Sequence, residues 1–356
     1  MNTRVLMRGS EVIGEAAIRA GCRCYFGYPI TPQNELPEYM ARRMTEIEGA
    51  TFLQSESELA AINMVYGASV TGSRVMTSSS SPGISLMQEG LSYLAACELP
   101  AVIVNIVRGG PGLGNIAPAQ SDYFQATRGG GHGDYRCLVV APASLQEAAD
   151  LTYHAFDLAD HYRLPVIILG DGMMGQMMEP VCLPPFRKEL PDKDWALTGA
   201  GEGKSRFIRS LLLDVHVLEE HNWKLYRKYQ RIERREVRYE EFMVHDAELV
   251  IVAYGTAARI AKGAVNRARE RKLRIGLFRP ITLWPFPFAA LKRLAERVKG
   301  FVAFEMSMGQ MLEDVKLSVG GMVPVEFYGR PGGVVVTPME LLRIVTRKYN
   351  QLAKKD

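Results

Sequence analysis

The chain has 356 residues, 47% hydrophobic and 23% charged, which excludes a fibrous or disordered chain and leaves room for about two domains. Its 43 Lys plus Arg against 39 Asp plus Glu give a formal net charge of +4, too weak a field to select nucleic acid or a membrane surface as partner. Five cysteines without a C-x-x-C pair suggest neither a secreted disulfide framework nor a four-cysteine metal site, and fit a reducing cytoplasm.

Arg4, Arg8, Glu11, Glu15 and Arg19 are spread through the first stretch in a way that no signal peptide shows. The strongest apolar run, AVIVNIV at 101–107, is far short of the roughly 18 residues that span a bilayer, so no membrane span is expected. From residue 9 to about 185 short apolar runs alternate with amphipathic stretches, the signature of strands and helices in a parallel sheet. Strands are predicted at 23–27, 51–54, 75–79, 101–107, 138–141 and 165–169, with helices near 9–20, 33–44, 57–71, 84–96 and 144–160. The last helix shows its period openly, with Leu145, Ala148, Ala149, Leu151, Thr152, Ala155, Phe156 and Ala159 on one broad face.

After Pro184 a Pro-rich and then Gly-rich stretch reads as a linker. It leads into a helix-prone segment at 207–241, whose residues 219–241 carry six acidic and seven basic side chains. Such mixed signs offer no stripe for phosphates and fit a solvated connector. Alternation resumes at 249–254, with a helix to about Arg271 and further strands at 275–278, 301–306 and 324–327. The Pro-punctuated run RPITLWPFPF would stop any helix entering it. The division expected is 1–185, a linker with a charged helix at 186–246, and a smaller α/β domain at 247–356.

Three motifs look chemical without the context they need. Gly170-Asp171-Gly172 lacks the asparagine pair that a magnesium–diphosphate site requires some 30 residues on, and reads as a turn after a strand. GEGKS at 201–205 has Thr198 where a phosphate-binding loop needs its first glycine. Gly112-Leu113-Gly114 does not open a helix.

Three other features fall at the C-terminal ends of successive predicted strands, where open α/β sheets hold their ligands. YPITP at 28–32 holds Thr31 close between two prolines, as a ligand-facing hydroxyl or a rigid helix-capping turn. QSESE at 54–58 permits a capping box between Ser55 and Glu58, or a carboxylate for a ligand nitrogen; periodicity does not separate Glu56 from Glu58. Arg108 precedes a Gly-rich loop and suits a small carboxylate, or is a surface arginine. Between them, SSSSPG at 78–83 is a hydroxyl-rich turn.

In this order GYPITP, QSESELAAINMVYGAS, SPGISLMQEG, ELPAVIVNIVRGGPGLGN, AQSDYFQA, LWPFP and EMSMGQM closely resemble the alpha-type subunit of the thiamine-diphosphate-dependent 2-oxoacid:ferredoxin oxidoreductases over nearly the whole chain. The resemblance is greatest to the branched-chain (3-methyl-2-oxobutanoate, or 2-oxoisovalerate) branch, with the 2-oxoglutarate branch close behind. It implies a parallel-sheet pyrimidine-binding domain followed by a transketolase-C-like domain. The implied activity is ferredoxin-dependent oxidative decarboxylation of a branched-chain 2-oxoacid to its acyl-CoA, or the same reaction on 2-oxoglutarate; a non-catalytic subunit is the alternative. Magnesium and the diphosphate would lie on a beta-type subunit, and iron–sulfur clusters on partner chains, with gamma-type and ferredoxin-like subunits completing the complex.

Residue by residue, the resemblance makes Glu58 the carboxylate that hydrogen-bonds N1′ of the aminopyrimidine, with Pro29, Ser80 and Gly83 around the cofactor. It makes Thr31 and Arg108 catalytic, substrate-binding groups. Asp122 matches a recurrent acidic position whose role stays open. Ser81 stands where relatives commonly carry glycine, and a positive φ there would strain it by about 1 kcal/mol or more.

Overall fold

Alternating apolar runs and amphipathic stretches must bury one face each, and two layered α/β units do so here. The computed structural model describes residues 4–199 and 206–352. The first part comprises β1 (Val5–Arg8), α1 (Gly9–Arg19), β2 (Cys24–Gly27), α2 (Glu35–Met44), β3 (Thr51–Gln54), α3 (Glu58–Val70), β4 (Val75–Ser79) and α4 (Pro82–Leu86). It continues through α5 (Gln88–Ala96), β5 (Ala101–Val107), α6 (Tyr123–Arg128), β6 (Leu138–Val140), α7 (Leu145–Tyr162), β7 (Pro165–Asp171), α8 (Gly172–Gln176) and β8 (Met178–Val181). Beyond it lie α9 (Val215–Arg235), β9 (Tyr239–Phe242), β10 (Leu249–Val252), α10 (Gly255–Glu270), β11 (Ile275–Pro280), β12 (Thr282–Trp284), α11 (Phe288–Ala295), β13 (Gly300–Glu305), α12 (Gln310–Val319), β14 (Val325–Gly329) and α13 (Pro338–Leu352).

A seven-stranded sheet runs β12-β6-β7-β5-β4-β2-β3, and a five-stranded one β14-β13-β10-β11-β9. All pairings in the larger sheet are parallel except β12 with β6. Both faces of its centre are covered, so β5 is buried along its whole length and reads as an unbroken apolar run. The smaller sheet is parallel apart from its edge strand β9.

Several elements depart from the sequence reading. The helix expected at 84–96 starts at Pro82 and is interrupted at Met87, giving α4 and α5. Within the charged segment α9 covers only Val215–Arg235. Tyr239–Phe242 instead becomes the edge strand beside β11, where Glu240 and Glu147 answer the buried Arg279. A strand rather than a helix enters the proline-rich run, whose first two residues end β11 and of which three more form β12 and extend the larger sheet. That sheet therefore takes a strand from beyond residue 247. β1 and β8 form a two-stranded ribbon that local patterning did not reveal.

The charged helix α9 is amphipathic rather than uniformly solvated. Leu225, Lys228, Tyr229 and Ile232 are buried at i, i+3, i+4 and i+7. Lys228 Nζ donates to Glu98 Oε1 at 3.0 Å, and Lys224 pairs with the other Glu98 oxygen. Burial pushes the Glu98 carboxyl up, but these two ammonium groups outweigh it and hold it at about 2.

Candidate functional site

Strands β2, β4 and β5 run parallel, so the loops that follow them share one edge of the larger sheet. Onto this edge come the turn after β2, the start of α3, the turn between β4 and α4, and the loop after β5. Asp171 of the G-D-G motif lies at the end of neighbouring β7, where its Oδ1 accepts from the Met173 and Met174 amides and caps α8. The strand runs on through Asp171 and α8 begins at Gly172, so G-D-G is a capped strand–helix junction and not the separate turn expected after 169. The GEGKS segment lies outside the described residues.

Glu58 opens α3 and is 5% exposed, whereas Glu56 is exposed and accepts from the Ser57 hydroxyl. The expected Ser55–Glu58 capping box is absent. Ser57 is the N-cap, its hydroxyl accepting from the Ala60 amide at 3.2 Å, which makes Glu58 the first helical residue instead of the third. Ser55 instead donates to Gly27 and Ser57 carbonyls, fastening the helix start to the end of β2. Released from capping, Glu58 Oε1 accepts from Ser79 Oγ at 3.0 Å.

Gly83 faces this carboxylate so closely that a Cβ would lie 2.0 Å from Ser79 Oγ and 2.2 Å from Glu58 Oε1. Only glycine leaves that position open. Ser80, just beyond β4, is wholly buried, and its hydroxyl has no partner among the described residues.

Arg108 ends β5 at 7% exposure, and forms no ion pair among the described residues. Nη1 donates to the Thr31 carbonyl at 2.9 Å and Nη2 to the Leu113 carbonyl at 3.1 Å, while Nε is buried without a partner. A guanidinium has five N–H donors, so three remain for a further acceptor. Pro29 and Thr31 are exposed beside it. Thr31 and Arg108 thus meet directly, through the Thr31 backbone, and the 79–83 turn links them to Glu58.

Ser81 has φ 23° and ψ −78°, the left-handed side that favours glycine. Its amide donates to Asn105 Oδ1 at 3.1 Å, and its hydroxyl donates to Asp122 Oδ2 at 2.6 Å while accepting from the Arg108 amide at 3.1 Å. Asn105 Nδ2 donates to the same Asp122 oxygen at 2.9 Å. Burial pushes the Asp122 carboxyl above its ordinary value, and these two donors partly restrain it. Sequence reasoning left Asp122 without a role, and no local spacing would have joined it to Ser81, 41 residues away.

The smaller α/β unit holds the segment carrying Asp122. Gln310 donates to the Ser121 carbonyl and accepts from the Phe124 amide, at 2.7 and 2.8 Å. Asp314 accepts from Tyr123 and Arg128, and Gln120 exchanges hydrogen bonds with Met306. Among the described residues no group of three or more His, Cys, Asp and Glu could hold a metal ion.

The model of the family "Pyruvate flavodoxin/ferredoxin oxidoreductase, thiamine diphosphate-binding" matches residues 15–241, and that of "Pyruvate:ferredoxin oxidoreductase core domain II" matches 247–341. The ketoisovalerate oxidoreductase subunit VorB of Methanothermobacter marburgensis is 51% identical over 349 residues, 98% of this chain and 97% of that protein. The 2-oxoglutarate synthase subunit KorA of Methanothermobacter thermautotrophicus is 36% identical, covering 98% of this chain and 99% of its own. Among solved structures, a 2-oxoglutarate:ferredoxin oxidoreductase from Magnetococcus marinus with 2-oxoglutarate, coenzyme A and succinyl-CoA bound superposes with a TM-score of 0.86 at 25% identity, over 98% of this chain and 66% of that one. An inactive tetramer of a split-gene transketolase, at 12% identity and TM-score 0.61, shares the fold.

Proposed function

The chain belongs to the pyruvate flavodoxin/ferredoxin oxidoreductase family, and from this we propose that it is the subunit of a branched-chain 2-oxoacid:ferredoxin oxidoreductase that activates thiamine diphosphate and receives the substrate carboxylate. The family reaction is ferredoxin-dependent oxidative decarboxylation of a 2-oxoacid. Identity of 51% to a ketoisovalerate oxidoreductase subunit against 36% to a 2-oxoglutarate synthase subunit favours 3-methyl-2-oxobutanoate as substrate.

The observation that carries the reading is the buried Glu58 carboxylate, which caps no helix and is held, among the described residues, by the Ser79 hydroxyl with Gly83 packed against both. A buried carboxylate that caps no helix and accepts from one hydroxyl among the described residues fits the N1′ edge of an aminopyrimidine. When bound, thiamine diphosphate supplies the electron sink for decarboxylation. Glu58 would hold the proton at N1′ and so favour the tautomer whose N4′ is basic, a positioned transfer typically worth about 10² to 10⁴ in rate. Pro29, Ser80 and Gly83 would line the pyrimidine.

Arg108 would receive the 2-oxoacid carboxylate on the donors not used by Thr31 and Leu113, a charge-assisted pair that its burial strengthens. The Thr31 hydroxyl would hydrogen-bond the substrate beside it. Magnesium and diphosphate would be held by a beta-type subunit, and the iron–sulfur clusters by partner chains, including gamma-type and ferredoxin-like subunits. Exposed Leu53 on β3, Leu59 on α3, Leu86 on α4, and Leu113 and Ile116 on the loop after β5 support a partner surface at this edge. No helix among the described residues is long and apolar enough to cross a membrane, and we assign the reaction to the cytoplasm.

The test is CoA-dependent viologen reduction by the complex purified anaerobically through this chain, offered 3-methyl-2-oxobutanoate and 2-oxoglutarate in parallel. Preference for the branched acid is expected. Preference for 2-oxoglutarate would keep the chemistry and replace the substrate. Activity on neither, with partner chains and thiamine diphosphate present, would contradict the reading.

A further inference from the structure

The turn at Ser81 joins four parts of the site. It closes β4, precedes α4, receives the backbone of Arg108 at the end of β5, and meets Asp122 at the start of α6. If the turn needed only its positive φ, glycine would supply it without strain. The hydroxyl must therefore be sought for what it does. It is not a helix cap, since it makes no capping bond to α4.

The hydroxyl has one proton and two acceptors within reach, Asp122 Oδ2 at 2.6 Å and the Arg108 carbonyl at 3.4 Å. The short distance to a carboxylate assigns the proton to Asp122. The oxygen lone pairs are then turned toward the Arg108 amide, which donates at 3.1 Å. Asn105 closes a ring by accepting from the Ser81 amide and donating to Asp122, so neither the turn nor the carboxylate can rotate alone. Gln310 pins the residues on either side of Asp122 from the smaller α/β unit.

We propose that Ser81 is a positioning residue for substrate binding: its hydroxyl, oriented by Asp122, fixes the backbone of Arg108 so that the guanidinium keeps its unspent donors aimed at the substrate carboxylate. The proposal rests on the reading of Arg108 given above. It accounts for a side chain held in a backbone region that favours glycine, and for the half-buried Asp122 that accepts from both Ser81 and Asn105.

The experiment compares Ser81→Gly, Ser81→Ala and Arg108→Ala in the intact complex. KM and kcat for the 2-oxoacid, competitive inhibition by the non-oxidisable 3-methylbutanoate, and the thermal unfolding midpoint are measured for each. Ser81→Gly relieves the backbone and removes the hydroxyl. It is expected to unfold no lower than the wild type, yet raise KM and the inhibition constant about three- to ten-fold, with a smaller change in kcat. Ser81→Ala should match those ligand effects while unfolding lower. Unchanged KM and inhibition in Ser81→Gly, with both raised in Arg108→Ala, would overturn the role of Ser81 and spare that of Arg108. Unchanged values in Arg108→Ala would overturn the carboxylate reading itself, and this proposal with it.

Discussion

The two parallel sheets end in loops at comparable edges, but their polar groups are spent differently. At the end of β13 in the smaller sheet, the fully buried Glu305 accepts from the Ser307 hydroxyl and from the Met311 and Leu312 amides. There, too, the Met306 amide and carbonyl are both taken by Gln120. At the edge of the larger sheet Glu58 has one serine, Arg108 has only backbone carbonyls and a buried Nε without partner, and Thr31 is exposed. Buried polar groups that complete a fold are satisfied within it, whereas groups waiting for a ligand keep donors and acceptors in hand. One edge is thus a clamp and the other a receptor.

Substitutions at the two edges should separate accordingly. The largest effect is expected for Glu58→Gln, which keeps shape and removes the proton acceptor: turnover in viologen reduction should fall about 10²- to 10⁴-fold, with the unfolding midpoint unchanged. Gly83→Ala would drive a methyl against Ser79 and Glu58. A displaced carboxylate should cost on the order of 10²-fold in turnover, with a measurable loss of stability besides. Arg108→Ala should lower kcat/KM about ten- to hundred-fold, mostly through KM. At the clamp, Glu305→Ala should instead destabilise by about 1–3 kcal/mol, read in denaturant unfolding, because two backbone amides lose their acceptor.

The smallest effect is one of pH. Glu98 titrates at about 2 in the fold, below its ordinary 4.5, because Lys228 and Lys224 outweigh its burial. Its folded pKa is depressed, so its contribution is complete above about 4.5 and is lost as pH falls toward about 2. Glu98→Gln should flatten that part of an acid-unfolding curve, while the Glu58 site is left untouched.

Much of the receptor could be read from residue order, and the reason is local. The strands at 51–54, 75–79 and 101–107 have the bounds expected of them, since compact apolar runs between turn residues leave little choice. The rule for parallel sheets was enough to bring the segments at 28–32 and 54–58 and Arg108 to one sheet edge, but the choice of Glu58 over Glu56 came from the family resemblance. What stayed hidden depends on distant partners. The capping register of α3 was decided by Ser55 bonding to Gly27, which left Ser57 to cap. Strand β12 is three residues long and pairs with β6 from far along the chain. Asp122 gains its part only through Ser81 and Asn105. Ser80 and Ser81 are adjacent hydroxyls, and only the backbone turn determines that one points into the core and the other joins the Arg108 network.

The receptor role of Glu58 is tested most directly by deuterium exchange at C2 of thiamine diphosphate bound to the purified complex, without substrate, in the wild type and in Glu58→Gln. Exchange slowed by two or more orders of magnitude in the variant, at equal cofactor content, is the predicted result. Equal exchange rates would contradict the assignment of Glu58 to the cofactor.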